Sequence, residues 1–245
     1  MNGPVRFSHL KAFGKSAMHG AFARTKPELP PTDAMQLGSA VDALLFGHKK
    51  VYAFEGAVRR GKAWDEFQEA HQDGIILPTK AFYKARNMAD ALGSCKVAEP
   101  LLKGVYQETI LFRWNGLDCR ATPDVRGDGF LTELKTSMTA DPVRFPWHAR
   151  AMSYHAQMRM QNIAIKDTAA ACYIVCIESS EPYPIQVFQL TDKALAEGEK
   201  CLVAWSERLK VAEQSSSYPP YTTCIMPLDV PDDEDELIFP DEEEE

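Results

Sequence analysis

The sequence predicts an α/β (α+β) domain: a helical front third, then a central mixed sheet flanked by helices. Three observations predict it. Apolar residues recur at helical spacing before about residue 92 and at a period of two after Glu108, and an Asn115-Gly116 pair joins two alternating runs. The 245 residues are 45% apolar, enough to bury one sizeable core.

Taken in order, Ser8 can cap a first helix through Leu10–Ala23, which the proline-rich Lys26–Thr32 segment ends, and a second helix covers about Ala34–Phe46. Residues 47–77 are mixed, with a short helix in Ala63–Gln72; Thr79 can cap a helix over Lys80–Leu92. Glu108–Trp114 and Leu117–Asp124 read as strands around the Asn-Gly turn, and Arg126-Gly127-Asp128-Gly129 turns the chain into a third strand, Phe130–Thr136. That makes an antiparallel meander. Asp141–Ile165 is helical, delayed or kinked by Pro142 and Pro146. Ala169–Ile177 and Ile185–Leu190 are strands, and Thr191–Glu213 is a last helix with Leu195, Leu202, Trp205 and Leu209 along one stripe.

The chemistry lies in the third strand. Glu133 and Lys135 are two residues apart, so their side chains leave one face of the sheet, and Asp124 ends the neighbouring strand one turn away. Two carboxylates and a lysine form a hard-oxygen site suited to Mg²⁺ or Mn²⁺. Phosphodiester hydrolysis needs an activated water and charge neutralised on the leaving oxygen, which two ions ~4 Å apart supply together. Lys135 would hold or deprotonate the attacking water, or stabilise the charge of the transition state. A Pro-Asp, eight residues, Glu-x-Lys string is loose, and a same-face ion pair between Glu133 and Lys135 is the competing reading.

The stretch GLDCRATPDVRGDGFLTELKTS, followed by Tyr154-His155-x-Gln157, resembles the nuclease domain of RecE-type exodeoxyribonuclease VIII and its RecB-like relatives, phage-type members of the PD-(D/E)xK superfamily. SHLKAF, AMQLGSAVDALLFG and SSSYPPY follow that family's order over about residues 5–225. The resemblance implies a restriction-endonuclease-like core. It also implies an exonuclease acting on double-stranded DNA ends, 5′ to 3′, in recombination or repair, beside a single-strand annealing partner. Processive members tend to be rings, hence a homo-oligomer.

By the same resemblance Asp124, Glu133 and the main-chain carbonyl of Leu134 are metal ligands and Lys135 is catalytic. The family's histidine ligand, in a Gly-x-x-x-His pattern, is replaced here: Gly38 is followed by Asp42, a short, hard ligand that still suits Mg²⁺. Tyr154, Gln157 and Gln161 share a helix face that supports the site and touches DNA in relatives, with His155 one step off it. Glu108 matches an acid of several relatives, and Arg120 is placed to reach a phosphate, although an ion pair explains it equally well. Lys11, Lys15, Arg24 and Lys26 form a loose basic cluster interleaved with Phe13 and Phe22. The alternatives are an endonuclease, a single-strand-directed RecB-like nuclease, or a catalytically weak DNA- or partner-binding module.

The net charge of −8 hides an asymmetry: the 11 acids from Asp229 onward face no Lys or Arg, and without them the chain has 24 acids against 27 bases. The division is therefore a mildly basic domain, 1–228, and an acidic tail, 229–245, too charged to bury itself, whose one apolar spot is Leu237–Phe239. No apolar run reaches the ~20 residues of a membrane helix, so the expectation is a soluble, cytoplasmic protein with no membrane partner. Six scattered cysteines, with only Cys172 and Cys176 close together in a strand-like run, read as buried thiols rather than metal ligands.

Overall fold

In a computed structural model the chain is described over residues 3–25, 30–56, 58–167, 169–222, 224–226 and 228. The acidic tail with Leu237–Phe239, and Lys26 of the basic cluster, lie outside the described residues. The front third opens on two helices rather than one: α1 (Phe7–Lys15) and α2 (Ala17–Thr25) break at an extended Ser16. Ser8 is not the cap. Arg6 takes that place, its N–H donating to His9 Nδ1 (3.3 Å), while the Ser16 hydroxyl accepts from the His19 N–H (3.2 Å) and starts α2.

Thr32 caps α3 (Asp33–Phe46) through the Met35 N–H, and Gly47 ends it in the left-handed region. The mixed stretch holds a parallel strand pair missed by periodicity, β1 (Lys50–Phe54) and β2 (Gly74–Pro78), connected across α4 (Lys62–Ala70). Thr79 opens α5 (Thr79–Ser94), but its hydroxyl donates to the Phe54 carbonyl (3.1 Å) and so ties helix to strand instead of capping.

The expected three-strand meander is two separate units. β3 (Val105–Tyr106) is a short edge strand. β4 (Ile110–Trp114) and β5 (Leu117–Ala121) form their own hairpin, with Asn115 and Gly116 at φ 47° and 77°, the left-handed pair that a two-residue turn of this twist requires. Its Asn115 side chain docks on the last helix, donating to Ser206 Oγ (2.8 Å) and Glu207 Oε1 (3.0 Å). Pro123 has no N–H for a ladder and the strand stops before it; pairing resumes only at β6 (Val125–Arg126).

The main sheet runs β3, β6, β7 (Phe130–Ser137), β8 (Ala171–Glu178), β9 (Ile185–Gln189), with β7 and β8 parallel and the other neighbours antiparallel. Between β7 and β8 the expected single helix is two, α6 (Phe145–Ala151) and α7 (Tyr154–Ala164), separated by a left-handed Ser153. α8 (Asp192–Ser215), capped by Thr191, closes the fold and buries Leu195, Leu202 and Leu209 of the predicted stripe, with Trp205 half-buried.

Two apolar layers sandwich β7 and β8. Leu134, Val175 and Ile177 pack with α3 and α5; Leu131, Cys172, Ile174 and Cys176 pack with Phe145, Met158 and Leu195 on the other side. A third layer seats α1 on α7, α8 and the hairpin through Leu10, Phe13, Met160 and Leu202. Two glycines let helices approach their neighbours closely here. A Cβ on Gly198 would meet the His155 carbonyl at 2.5 Å, and one on Gly38 would stand 3.1 Å from Thr136 Oγ1, so α3 lies directly against β7. The six cysteines are free thiols; Cys172 and Cys176 are buried, and burial pushes them up to about 11 and about 12.

Candidate active site

β6 is only two residues long and pairs with Leu131 and Thr132, so the edge of β7 beyond Thr132 has no strand beside it. Asp124 fills that position with a side chain: its Oδ2 accepts the Leu134 N–H at 2.8 Å. The N–H and C=O of one strand residue leave on the same edge, so the Leu134 carbonyl faces the same space. Asp42 comes to this edge from α3, one turn past Gly38. Gln107 Nε2 donates to Asp42 Oδ2 and Asp124 Oδ1, each at 3.0 Å.

On the face turned toward α7, Glu133 is 5% exposed and fully partnered. Lys135 Nζ donates to Glu133 Oε1 (2.8 Å), Gln161 Nε2 donates to Oε2 (2.7 Å), and the Gln157 amide donates to Oε1 as well. Lys135 also donates to Gln157 Oε1 (3.3 Å) and lies 4.7 Å above the Tyr154 ring. The helical spacing 154, 157, 161 therefore lines up as expected, with Gln161, weighed only as part of that face, holding the second oxygen of Glu133.

Charges follow from this geometry. Burial first, then the neighbouring Glu133, pushes Asp42 up to about 7, and burial, Glu133 and Asp42 raise Asp124 well above the carboxylate range. Burial pulls Lys135 down, but Glu133 and Asp124 outweigh it and hold the lysine above its ordinary value, as a cation. The lysine's partners decide the same-face question: it is a buried ion pair, 18% and 7% exposed at the two side chains, not a pair on a solvated face.

Among the described residues no three His, Cys, Asp or Glu side chains stand ready to hold an ion. The reason is orientation: Asp42 and Asp124 converge, while Glu133 is turned to Lys135, Gln157 and Gln161. The donor set still fits a divalent ion, because two half-buried acids share one neutral donor nitrogen and, among the described residues, neither forms an ion pair.

Other expected residues fall elsewhere. Glu108 pairs with Arg126 (2.6 Å) at a half-exposed surface, and Arg120 makes no ion pair among the described residues; its charge acts on His9 across α1. His155 faces Cys201 (3.9 Å), away from the acids. Of the basic cluster, Lys11 is within electrostatic reach of Lys135: burial lowers it, and so do the charges of Lys15 and Lys135, while His148 is lowered by burial and then by Lys11. Phe13 is core, and Phe22 is exposed. Gln107, the residue that sequence reasoning missed, had no signal beyond standing next to Glu108.

Comparison with known proteins matches residues 6–225 to a family described as "PDDEXK-like domain of unknown function (DUF3799)". No curated protein matches. Among solved structures, a "Putative exonuclease" from Eubacterium rectale is similar at TM-score 0.66 and 15% identity, over 96% of this chain and 92% of that one. A second, SSO0001, has a TM-score of 0.30 at 11% identity over 77% and 84%, and nothing rests on it. Family match and fold agree with Asp124 set beside Glu133 and Lys135 of β7: the chain belongs to the PDDEXK-like family and has the PD-(D/E)xK nuclease fold.

Proposed function

We propose that this domain is a metal-dependent deoxyribonuclease in which Asp42, Asp124, Glu133 and the Leu134 carbonyl would hold Mg²⁺ or Mn²⁺ and Lys135 is catalytic. The observation that carries it is the convergence of Asp42 and Asp124 on one point beside a buried Glu133–Lys135 pair. Divalent ions bound there would supply a water acidic enough to ionise near neutral pH and charge neutralisation on the phosphate.

The chain's own residues do the rest. Lys135, held as an ammonium, donates hydrogen bonds; it is therefore suited to orient the attacking water and stabilise negative charge on the phosphoryl oxygens, rather than to take a proton. Gln157 and Gln161 fix the Glu133 carboxylate, and Tyr154 limits where the Lys135 head can go. Lys11, within electrostatic reach of Lys135, and Lys15 next to Lys11 add positive charge on this side, as a polyanion requires.

Within that reading, the RecE resemblance supports an end-directed, 5′-to-3′ exonuclease of duplex DNA, a ring-forming homo-oligomer and a single-strand annealing partner. Digestion of end-labelled linear duplex, closed circular duplex and single strands in Mg²⁺ tests the mode. Loss of label from linear duplex alone is the expected result, and cleavage of closed circles would replace the exonuclease by an endonuclease.

A further inference from the structure

Gln107 stands out because its side chain lies where the acids demand a cation and its backbone is unusual. It is neither Gly nor Asn, yet it holds φ 50°, the left-handed region that costs such a residue about 1 kcal/mol or more. Two contacts hold it there. Its main-chain N–H donates to the Asp124 carbonyl (3.1 Å), and the preceding Tyr106 pairs with Val125 and stacks on Phe46, ring centroids 4.7 Å apart. Phe46 and Asp42 are four residues apart on α3, hence on one face of it. The 106–107 dipeptide thus engages two successive turns of α3, Tyr106 through a ring and Gln107 through an amide.

The amide has two hydrogens, and Nε2 spends one on each carboxylate. This is the pattern a small cation would make, executed by a neutral group. It tethers the acids without neutralising them, so a divalent ion competes for the same oxygens on better terms.

We propose that Gln107 is a positioning residue whose carboxamide holds the place of the ion in the metal-free protein, keeping Asp42 and Asp124 face to face until an ion displaces it. This rests on the metal-site reading above. Because the two hydrogen bonds belong to the metal-free state, removing them destabilises that state alone and shifts the balance toward the metal-bound one.

The test is calorimetric titration of Mn²⁺ into the full chain, with thermal unfolding of each protein with and without Mn²⁺. The proteins are wild type, Gln107→Leu, Gln107→Asn and Asp124→Asn. Leu keeps the bulk and loses the donors; Asn tolerates the left-handed backbone but is too short to bridge, so it stands in if the Leu variant does not fold. Both Gln107 variants are expected to unfold at lower temperature without metal, to bind Mn²⁺ at least about tenfold tighter, the scale of one charge-assisted hydrogen bond, and to match wild type in saturating Mn²⁺. Mn²⁺ binding unchanged or weakened in the folded Gln107 variants, with wild-type binding lost in Asp124→Asn, overturns the placeholder and leaves the metal site standing. Wild-type binding that survives Asp124→Asn, or no binding at all, overturns the site assignment and the placeholder with it.

Discussion

The two sides of β7 solve opposite electrostatic problems. On the α7 side Glu133 is buried but satisfied, with a lysine and two glutamines spending their donors on it. At the open edge Asp42 and Asp124 are half-buried together with one neutral amide and one backbone N–H between them, and both are pushed up. The difference teaches where the fold leaves charge uncompensated. A carboxylate already held by an ammonium and two amides attracts a cation less than two acids sharing one amide, so in the proposed site Glu133 would be a ligand fixed in advance and the Asp pair would supply most of the uncompensated charge.

The sharpest way to break this contrast is Lys135→Ala. Because Lys135 is assigned to transition-state charge rather than to ion binding, duplex hydrolysis should fall on the order of 10³-fold while Mn²⁺ affinity changes little. Affinity falling in step with the rate would merge the two sides. Asp42→Asn does the reverse: Mn²⁺ affinity should fall about 10- to 100-fold, by calorimetry, whereas the metal-free protein should unfold a few degrees higher at pH 8, since a neutral amide replaces an acid that resists ionising. Asp42→His, which introduces the residue that the RecE resemblance implies at this position, should keep Mn²⁺ binding above that of Asp42→Asn.

On the Glu133 side, Gln161→Leu strips one donor from a buried carboxylate and should cost about 1–3 kcal/mol in denaturant unfolding, with a smaller loss of Mn²⁺ affinity than Asp42→Asn. A stability unchanged from wild type would mean that Glu133 does not depend on its amide partners. The smallest effect is the pH slope. Asp42 ionises near 3.8 in an unfolded chain and near 7 in the folded one, so the folded protein keeps a proton that the unfolded chain has released. The stability this provides is complete below about 3.8 and is lost as pH rises through about 7. The metal-free unfolding temperature of wild type relative to Asp42→Asn should therefore decline between pH 4 and 8, and saturating Mn²⁺ should flatten the decline. A constant difference across that range would show that Asp42 is not held protonated.

Much of this contrast was legible in the sequence, and the part that was not has a physical cause. Alternation placed Glu133 and Lys135 on one face because strand periodicity is local and exact, and Asn115-Gly116 located a turn because few other pairs adopt two left-handed residues in succession. The helix face of Tyr154, Gln157 and Gln161 followed from spacing for the same reason. What failed was non-local. Periodicity joined β4, β5 and β7 into one meander because it does not register that Pro123 ends a ladder and that a two-residue strand, β6, takes over. The parallel pair β1 and β2 was invisible because its partners are separated by a helix. Gln107 escaped because its importance lies in being brought between Asp42, 65 positions before it, and Asp124, 17 after it. The same limit explains Glu108 and Arg120, whose neighbourhoods are set by Arg126 and α1 rather than by the carboxylates.

The central claim, that the open edge of β7 is a metal site serving hydrolysis by Lys135, is tested most directly by one assay. Wild type and Asp124→Asn, both stripped by chelator, are incubated with linear duplex DNA while Mg²⁺ is added back. Nucleotide release that begins with Mg²⁺ in wild type and stays at background in Asp124→Asn is the predicted result. Equal release by the two proteins, or release by stripped wild type before any Mg²⁺ is added, would contradict it.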